Sequence, residues 1–121
     1  MSEINMQLFA RNAGVNLTFP AGGVIFQEGD PGNCMYVVQS GSIEMLINDK
    51  VVDVCGPNEA MGFLSVIDGA PRTATARVKD ACEVSVIDQR KFRFMLDEVP
   101  NFSTYIIGAM AHRIRGMRQA I

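Results

Sequence analysis

Short runs of strand-forming residues, separated by turn formers, fill the chain from Val15 to Asp88. The runs are Val15 to Phe19, Val24 to Gln27, Met35 to Gln39, Ile43 to Ile47, Val51 to Cys55, Ala74 to Val78 and Glu83 to Ile87. Glycine, proline, asparagine and aspartate dominate the breaks, where tight turns belong, and breaks are also expected at Ser40-Gly41 and Lys79-Asp80. Because the spacing is even and leaves no room for helical crossovers, it favours an antiparallel sheet over a parallel one. We therefore predict a mainly β fold, an antiparallel, jelly-roll-like β-roll.

A short helix is predicted on the N-terminal side of this roll. Ser2 is a suitable N-cap for a helix over roughly Glu3 to Asn12, and Gly14 would end it. Its buried side would carry Ile4, Leu8 and Phe9. We expect this helix to pack beside the main body of the roll.

Two helices are predicted after the roll. Helical spacing indicates a short helix over Gln89 to Leu96 and, after Pro100, a longer one that starts near Asn101 as its cap. The longer helix carries an apolar stripe at three- and four-residue steps. Its members are Phe102, Ile106, Met110, Ile114, Met117 and Ile121, while Arg113, Arg115 and Arg118 lie mostly off it. Such a stripe must be covered by something.

The size of the chain fits one domain with a sizeable core. It has 121 residues, 48% of them hydrophobic and 20% charged, so we expect a single domain over residues 1–121. No apolar run reaches the roughly 20 residues that span a bilayer, and the first residues lack the basic and apolar regions of a signal peptide. These features predict a cytoplasmic protein without a membrane partner.

Nothing in the sequence indicates a catalytic or metal site. Cys34, Cys55 and Cys82 are odd in number, far apart and set in apolar runs, so they are interpreted as buried thiols rather than as a disulfide framework or zinc ligands. The single histidine, His112, has no catalytic partner at a suitable spacing and is interpreted as a solvated helix residue. Nucleophile elbow, histidine pair and Walker loop are all lacking. We predict that the protein is not an enzyme and uses no metal or cofactor.

Charge is distributed unevenly along the chain. Residues 1–88 carry 5 basic and 11 acidic side chains, whereas the remaining residues carry 6 basic and 2 acidic ones. The basic end would suit an anionic partner or self-association, or it forms a solvated helix face. Because the body is acidic and no helix-turn-helix follows it, DNA binding by this chain alone is disfavoured.

The segment from Gly62 to Ala76 is the strongest candidate for a binding site. Gly62 allows the backbone to approach a ligand closely, and the residues after it suffice for one helical turn. Amides at the start of such a turn attract anions, and the guanidinium of Arg72 can hold two phosphate oxygens at once. The residues alone leave two interpretations open, a phosphate cradle or a solvated loop at Pro71 and Arg72.

This segment resembles the phosphate-binding cassette of the cyclic nucleotide-binding domain family. The matching pattern, from Gly62 to Thr75, is Gly-x-Leu-x-x-x-x-Gly-x-Pro-Arg-Thr-Ala-Thr. Two further segments, Phe19 to Asp30 and Met35 to Glu44, are similar to the two opening signatures of that family. Any one signature is weak, but three in order are specific. The resemblance covers almost the whole chain and implies a β-roll of the kind that binds cyclic nucleotides.

The resemblance also implies which residues would hold the cyclic phosphate. They are Gly62, Leu64, Ser65, Arg72, Thr73 and Ala74. The alternative for Thr73 is a residue that simply enters a β-strand, which suits its β-propensity. Arg77 and Lys79 alternate with apolar neighbours and are assigned to the polar face of a strand rather than to a site.

One position departs from the family pattern. Binding members usually carry a glutamate after the cassette glycine, where it accepts a hydrogen bond from the ribose 2'-hydroxyl, and this chain has Phe63 there. Losing a charged hydrogen bond costs roughly 1.5–3 kcal/mol, which weakens binding roughly ten- to more than a hundredfold. Glu59 is interpreted as an exposed turn residue rather than a substitute. We therefore predict weak or absent binding of cyclic AMP and cyclic GMP.

Two functions remain open after these observations. The first is a standalone sensor or regulatory module of the cyclic nucleotide-binding type. The second is a protein-interaction module that keeps the fold and forms a homodimer through Met110, Ile114 and Met117, since a rise of about 1.5 Å per residue carries Met117 well beyond the roll. The competing arrangement of the last helix is a lid, in which Met110 and Ile114 close over the ligand pocket of a monomer.

Overall fold

The computed structural model describes residues 5–120, and the side chains of residues 5–116. The strands in this range are β1 (Val15–Phe19), β2 (Val24–Phe26), β3 (Cys34–Ile47), β4 (Lys50–Cys55), β5 (Ala60–Met61) and β6 (Thr75–Asp88). The helices are α1 (Met6–Ala13), α2 (Phe63–Asp68), α3 (Gln89–Glu98) and α4 (Phe102–Ala120). The predicted mainly β fold with flanking helices is confirmed.

Two long strands organise the sheet. The strand order is β1-β6-β3-β4, with β2 also paired to β6 and β5 to β3, and every pairing is antiparallel. Each long strand joins two of the predicted runs, so the expected breaks at Ser40-Gly41 and Lys79-Asp80 are wrong. The ladder between β3 and β6 shifts its register there instead of ending, and Ser42 Oγ donates to Asp80 Oδ2 at 2.6 Å across it.

Helix α1 begins later than the sequence suggested. Its N-cap is Asn5, whose side-chain oxygen accepts from the backbone N–H of Leu8, while the predicted cap Ser2 and the predicted core residue Ile4 lie outside the described residues. The buried residues are Met6 and Ala10, one helical turn apart. Leu8 is 58% exposed, so its prediction as a core residue is wrong, because the inward face is fixed by Met6 and Ala10.

The buried residues form two clusters. The helical core, between the helices and the sheet, contains Met6, Ala10, Met35, Val37, Ala60, Phe63, Val66, Ile87, Phe92, Met95, Phe102 and Ile106. The roll core, inside the curled sheet, contains Phe26, Val38, Ile43, Met45, Cys55, Met61, Ala74, Ala76, Val78, Cys82 and Val84. The segment that contains α2 lies between these two clusters.

The apolar stripe of α4 divides into two faces. Phe102 and Ile106 are buried in the helical core, and Met110 packs against it. Ile114 is 59% exposed and lies one heptad from Ile107, which is 61% exposed. The predicted side-chain contacts of Met117 and Ile121 fall outside the described residues. Among the helices that the structure describes, none is long and apolar enough to span a membrane.

Candidate functional site

The predicted phosphate cradle forms α2 between two glycines with left-handed backbone. Gly62 has φ 77° and precedes the helix, while Gly69 has φ 72° and its N–H donates to the carbonyl of Ser65 at 2.9 Å. The chain then turns back toward the loop after β2. The N–H of Arg72 donates to the Asp30 carbonyl at 2.8 Å, and the N–H of Gly29 donates to the Arg72 carbonyl at 2.9 Å. Two backbone hydrogen bonds therefore fix the position of Arg72.

The side chain of Arg72 points into the protein and is only 5% exposed. Its Nη1 donates to the Gly62 carbonyl at 2.7 Å, and its Nη2 donates to the Cys34 carbonyl at 2.9 Å. The guanidinium carbon lies 4.4 Å from the centre of the Phe26 ring, a cation–π contact, and 5.8 Å from that of Tyr36. The alternative of a solvated loop is therefore wrong for Arg72, although its neighbour Pro71 is exposed.

The buried charge of Arg72 is held by neutral groups. Both carbonyl acceptors are uncharged, and within residues 5–116 no carboxylate lies within ion-pair distance of the guanidinium. Its Nε is buried and has no hydrogen-bond partner there. Buried guanidinium groups are ordinarily paired, because removing a charge from water is costly. This site is therefore strongly electropositive and suited to a phosphate or another anion.

Two glycines make room for this guanidinium. A Cβ atom at Gly62 would lie 2.6 Å from Nη1 of Arg72, and one at Gly32 would lie 2.4 Å from its Nε. Both distances are far below van der Waals contact. The chain can bury Arg72 here only because residues 32 and 62 have no side chain.

All the predicted phosphate-site residues line one small cavity. The set comprises Gly62, Leu64, Ser65, Arg72, Thr73 and Ala74, with Phe63 beside them. The volume of this cavity is about 10 Å³, which is room for roughly one water molecule. The predicted residues therefore lie together, but in this conformation the space between them is too small for a nucleotide.

Phe63 is a core residue rather than a surface replacement. It is 2% exposed and belongs to the helical core together with Phe102 and Met6. Its ring also forms part of the wall of the small cavity and of a second, larger one. The ring therefore occupies the position where the family pattern has a polar group. It packs against the helices and presents no polar atom there.

The larger cavity has a volume of about 420 Å³ and lies between α4, β4 and the turn before β5. Tyr105 Oη donates to the Asn58 carbonyl at 2.8 Å on its wall, and burial raises the pKa of Tyr105. Arg113 Nε and His112 Nε2 each lie 3.8 Å from Asp53 Oδ2. The Arg113–Asp53 ion pair is long and partly solvated and contributes little stability, and the His112 contact is an ion pair only when the imidazole is protonated.

Arg113 is the site residue that the sequence analysis missed. It was assigned to the polar side of the last helix, yet its side chain is only 17% exposed and lines both cavities. The missed signal is its position on the inward face, because it follows Phe102, Ile106 and Ala109 at four- and three-residue steps. Because the inward face was defined by apolar residues only, the arginine on that face was not identified.

The three cysteines occupy different environments. Cys55 and Cys82 are buried as expected, and burial raises the pKa of Cys55 to about 12 and also raises the pKa of Cys82. The prediction of a buried thiol is wrong for Cys34, which is half-buried because it begins β3 at the edge of the Arg72 site. Cys34 is therefore the most accessible of the three thiols.

The remaining assigned residues lie in more exposed environments. Glu59 is exposed, as expected, and its Oε1 accepts from the Gly56 N–H at 2.7 Å. Thr73 is exposed at the rim of the small cavity, and Arg77 pairs with Glu44 at 3.0 Å on the outer face of the sheet. No group of histidine, cysteine and carboxylate side chains within the described part of the chain could hold a metal ion.

The family model of the cyclic nucleotide-binding domain matches residues 16–99. The chain is also 28% identical, over 102 residues, to the CRP-like cAMP-activated global transcriptional regulator of Mycobacterium tuberculosis. That match covers 80% of this chain and 46% of the regulator, so the chain spans about half the length of this relative.

Two solved structures are similar over most of the chain. The regulatory domain of Toxoplasma gondii PKA, co-crystallised with cAMP, is 33% identical with a TM-score of 0.65, over 77% of this chain and 38% of that one. The N-terminal domain of a transcriptional regulator from Streptomyces coelicolor A3(2) is 27% identical with a TM-score of 0.68, over 99% of this chain and 87% of that one. These three proteins are regulators or parts of regulators.

Proposed function

Because this chain belongs to the cyclic nucleotide-binding domain family, we propose that it is a regulatory or sensor module whose binding of cyclic AMP or cyclic GMP is weak or absent. The observation that carries this proposal is the burial of Phe63 at the position of the ribose contact. An apolar ring there accepts no hydrogen bond from a sugar hydroxyl. The ring is also locked by its packing in the helical core and cannot swing away without a cost in stability.

The magnitude of the effect follows from two losses. A missing charged hydrogen bond weakens binding by roughly 1.5–3 kcal/mol, and a nucleotide would also have to open a cavity of about 10 Å³. Opening that cavity separates Phe63 from its neighbours, which adds to the cost. We expect these two losses together to raise the dissociation constant of cyclic AMP and of cyclic GMP above the low micromolar range.

The chemistry of Arg72 supports the sensor part of the proposal. A buried guanidinium held by the Gly62 and Cys34 carbonyls retains further N–H groups for an anion. Its Nε has no hydrogen-bond partner among the residues that the structure describes. The phosphate end of the site is therefore chemically intact, whereas the sugar end is changed.

Calorimetric titration of the folded protein with cyclic AMP and with cyclic GMP tests this proposal. We expect no saturation at low micromolar ligand, and any weak binding to fall further in Arg72→Lys, which cannot hold two phosphate oxygens as a fork does. A dissociation constant near or below about 1 μM, which corresponds to about -8 kcal/mol, would overturn the proposal.

Restoring a glutamate at position 63 is a second arm of this test. In this structure Phe63→Glu places a carboxylate among apolar side chains, so we expect loss of stability rather than a simple gain of binding. A stable Phe63→Glu protein that binds cyclic AMP tightly would mean that position 63 can turn toward the sugar, contrary to the burial argued above. Circular dichroism of the variant separates unfolding from failure to bind.

A second candidate function is a protein-interaction module that acts through α4. Ile107 and Ile114 are both largely exposed and lie one heptad apart, with Met110 between them. Two copies of such a face can bury each other in a two-fold helix pair. The exposure of Ile114 favours this arrangement over a lid, since a lid residue would point into the cavity.

Sedimentation velocity at tens of micromolar protein decides between dimer and lid. We expect a dimer that Ile114→Glu dissociates, whereas the matched change Ile67→Glu, at an exposed position on α2, leaves it intact. A monomer in the unmodified protein would exclude the homodimer. In that case the interaction function would require a different partner.

A further inference from the structure

Cys34 lies in direct contact with the buried guanidinium. Nη2 of Arg72 approaches the Cys34 Sγ to 3.6 Å while it also donates to the Cys34 carbonyl. The hydroxyl of Tyr36 hydrogen bonds to the same side chain. Burial, and to a lesser extent this hydrogen bond, raises the pKa of Tyr36 to about 12. The phenol therefore stays protonated and acts as a donor. The sulfur therefore faces one cationic and one neutral donor.

The state of Arg72 is an independent observation that points to an anion at this place. The side chain is 5% exposed, its Nε has no hydrogen-bond partner among the described residues, and its acceptors besides the Cys34 sulfur are neutral carbonyls. A negative charge beside it is therefore stabilised. The Cys34 sulfur lies 3.6 Å from Nη2 of this guanidinium, and a partly exposed cysteine beside arginine is the environment in which reactive cysteines are found.

The other two cysteines provide an internal contrast. Cys55 and Cys82 lie in the roll core, and burial raises the pKa of both thiols. Buried apolar thiols of this kind are inert toward oxidants. Only Cys34 among the three combines partial exposure with a guanidinium in hydrogen-bond contact.

We propose that Cys34 is an oxidation site that reacts with hydrogen peroxide and that Arg72 activates it. The thiolate sulfur attacks one oxygen of the peroxide, so that a sulfur–oxygen bond forms as the oxygen–oxygen bond breaks. The sulfur loses two electrons and becomes a sulfenic acid, and the peroxide gains them. The departing hydroxide takes up a proton and leaves as water.

Oxidation would add an acceptor oxygen beside the Arg72 guanidinium. This oxygen would compete for the N–H groups that an anionic ligand uses, because Arg72 lines the small cavity and its Nη2 also contacts the Cys34 sulfur. The redox state of Cys34 would then control the anion site. This consequence rests on the proposed function, whereas the oxidation itself does not.

The test is to expose the whole folded protein to hydrogen peroxide in the presence of dimedone, which traps sulfenic acids. Peptide mass spectrometry then gives the labelling rate of each cysteine. We expect Cys34 to be labelled at least about tenfold faster than Cys55 and Cys82. Equal rates, or faster labelling of either of the other two, would overturn the proposal whatever the protein binds.

Two variants test the role of the neighbouring donors. Arg72→Gln removes the charge and should slow the labelling of Cys34 about tenfold while the rate at Cys82 stays unchanged. Tyr36→Phe removes only a hydroxyl and should slow Cys34 by a smaller factor, which keeps the test decisive if Arg72→Gln does not fold. An unchanged Cys34 rate in a folded variant would show that the donors do not activate the thiol.

Discussion

The two ends of the segment from Gly62 to Ala74 are stabilised in opposite ways. At one end Phe63 buries an aromatic ring among the apolar side chains of the helical core. At the other end Arg72 buries a charge against two backbone carbonyls and the Phe26 ring. The burial of the ring favours folding outright, whereas the burial of the charge is tolerated only because its hydrogen bonds offset lost hydration.

This difference shows that the two positions carry different structural constraints. An apolar side chain at position 63 adds buried surface to the helical core. A change at Arg72 would leave the Gly62 and Cys34 carbonyls without their donor. A substitution at position 63 is therefore constrained by packing, and one at Arg72 by hydrogen bonding.

The largest effect that we predict concerns Phe63. Phe63→Ala should lower the free energy of unfolding by about 3–4 kcal/mol, because it removes a buried ring from the helical core. Phe94→Ala is the matched control, since Phe94 is 60% exposed on α3 and should change stability little. Urea denaturation monitored by circular dichroism measures both. Similar losses for the two variants would mean that Phe63 is not part of the core.

The next effect tests the contact between Gly62 and Arg72. Gly62→Ala should cost about 2–3 kcal/mol, from a left-handed backbone and a Cβ placed 2.6 Å from Nη1 of Arg72. Gly69→Ala has a similar φ but open space around its Cβ, so it should cost only about 1 kcal/mol. The difference between the two variants, measured by denaturation, reports the crowding at Arg72. Equal costs would mean that Arg72 moves aside freely.

A pH effect distinguishes the tyrosines at the two ends. Tyr36, near Arg72, has a pKa raised to about 12, mainly by burial, and the Arg72 charge limits the rise. Burial raises the pKa of Tyr105, near Phe63, without such an arginine. Since the unfolded phenols ionise near pH 10, stability is full below that pH and falls above it, by about 1.4 kcal/mol per pH unit for each tyrosine that stays protonated.

The measurement is urea denaturation between pH 9 and about pH 12. Tyr36→Phe and Tyr105→Phe should each flatten the loss of stability with pH over this range. Identical slopes in both variants and in the unmodified protein would contradict the burial of these phenols.

The smallest effect concerns an arginine outside the segment. Arg77 pairs with Glu44 at 3.0 Å, but both side chains are partly solvated, so Arg77→Ala should change the unfolding free energy by less than about 1 kcal/mol. The contrast with Arg72 would show that burial, not residue type, determines the importance of an arginine. A loss as large as that of Gly62→Ala would reverse this conclusion.

Much of the fold was predictable because turn chemistry is local. The runs from Val15 to Ile87 correspond to real strands, and the two flanking helical regions exist. The expected breaks at Ser40-Gly41 and Lys79-Asp80 are not breaks, since Ser40 pairs with Glu83 and Ser42 with Asp80 across β3 and β6. Pairing between distant residues cannot be read from composition along one strand.

The site was predictable only in the part that lies within one segment. Gly62 and Arg72 belong to a local pattern, so both were identified. The Cys34 carbonyl and the Phe26 ring that hold Arg72 come from residues 38 and 46 positions earlier in the chain, and no local signal indicated them. Arg113 reaches the site from α4, and only the inward face of that helix marks it.

Because two carbonyls hold Arg72, its side chain has little conformational entropy left to lose when a ligand binds. A free arginine side chain loses about 2 kcal/mol of rotamer freedom when a ligand immobilises it. Arg72 is already fixed by Gly62 and Cys34, so this ordering takes place during folding and not during binding. An anion that reaches the guanidinium therefore meets a pre-organised fork, which raises its affinity by about tenfold or more over a flexible surface arginine.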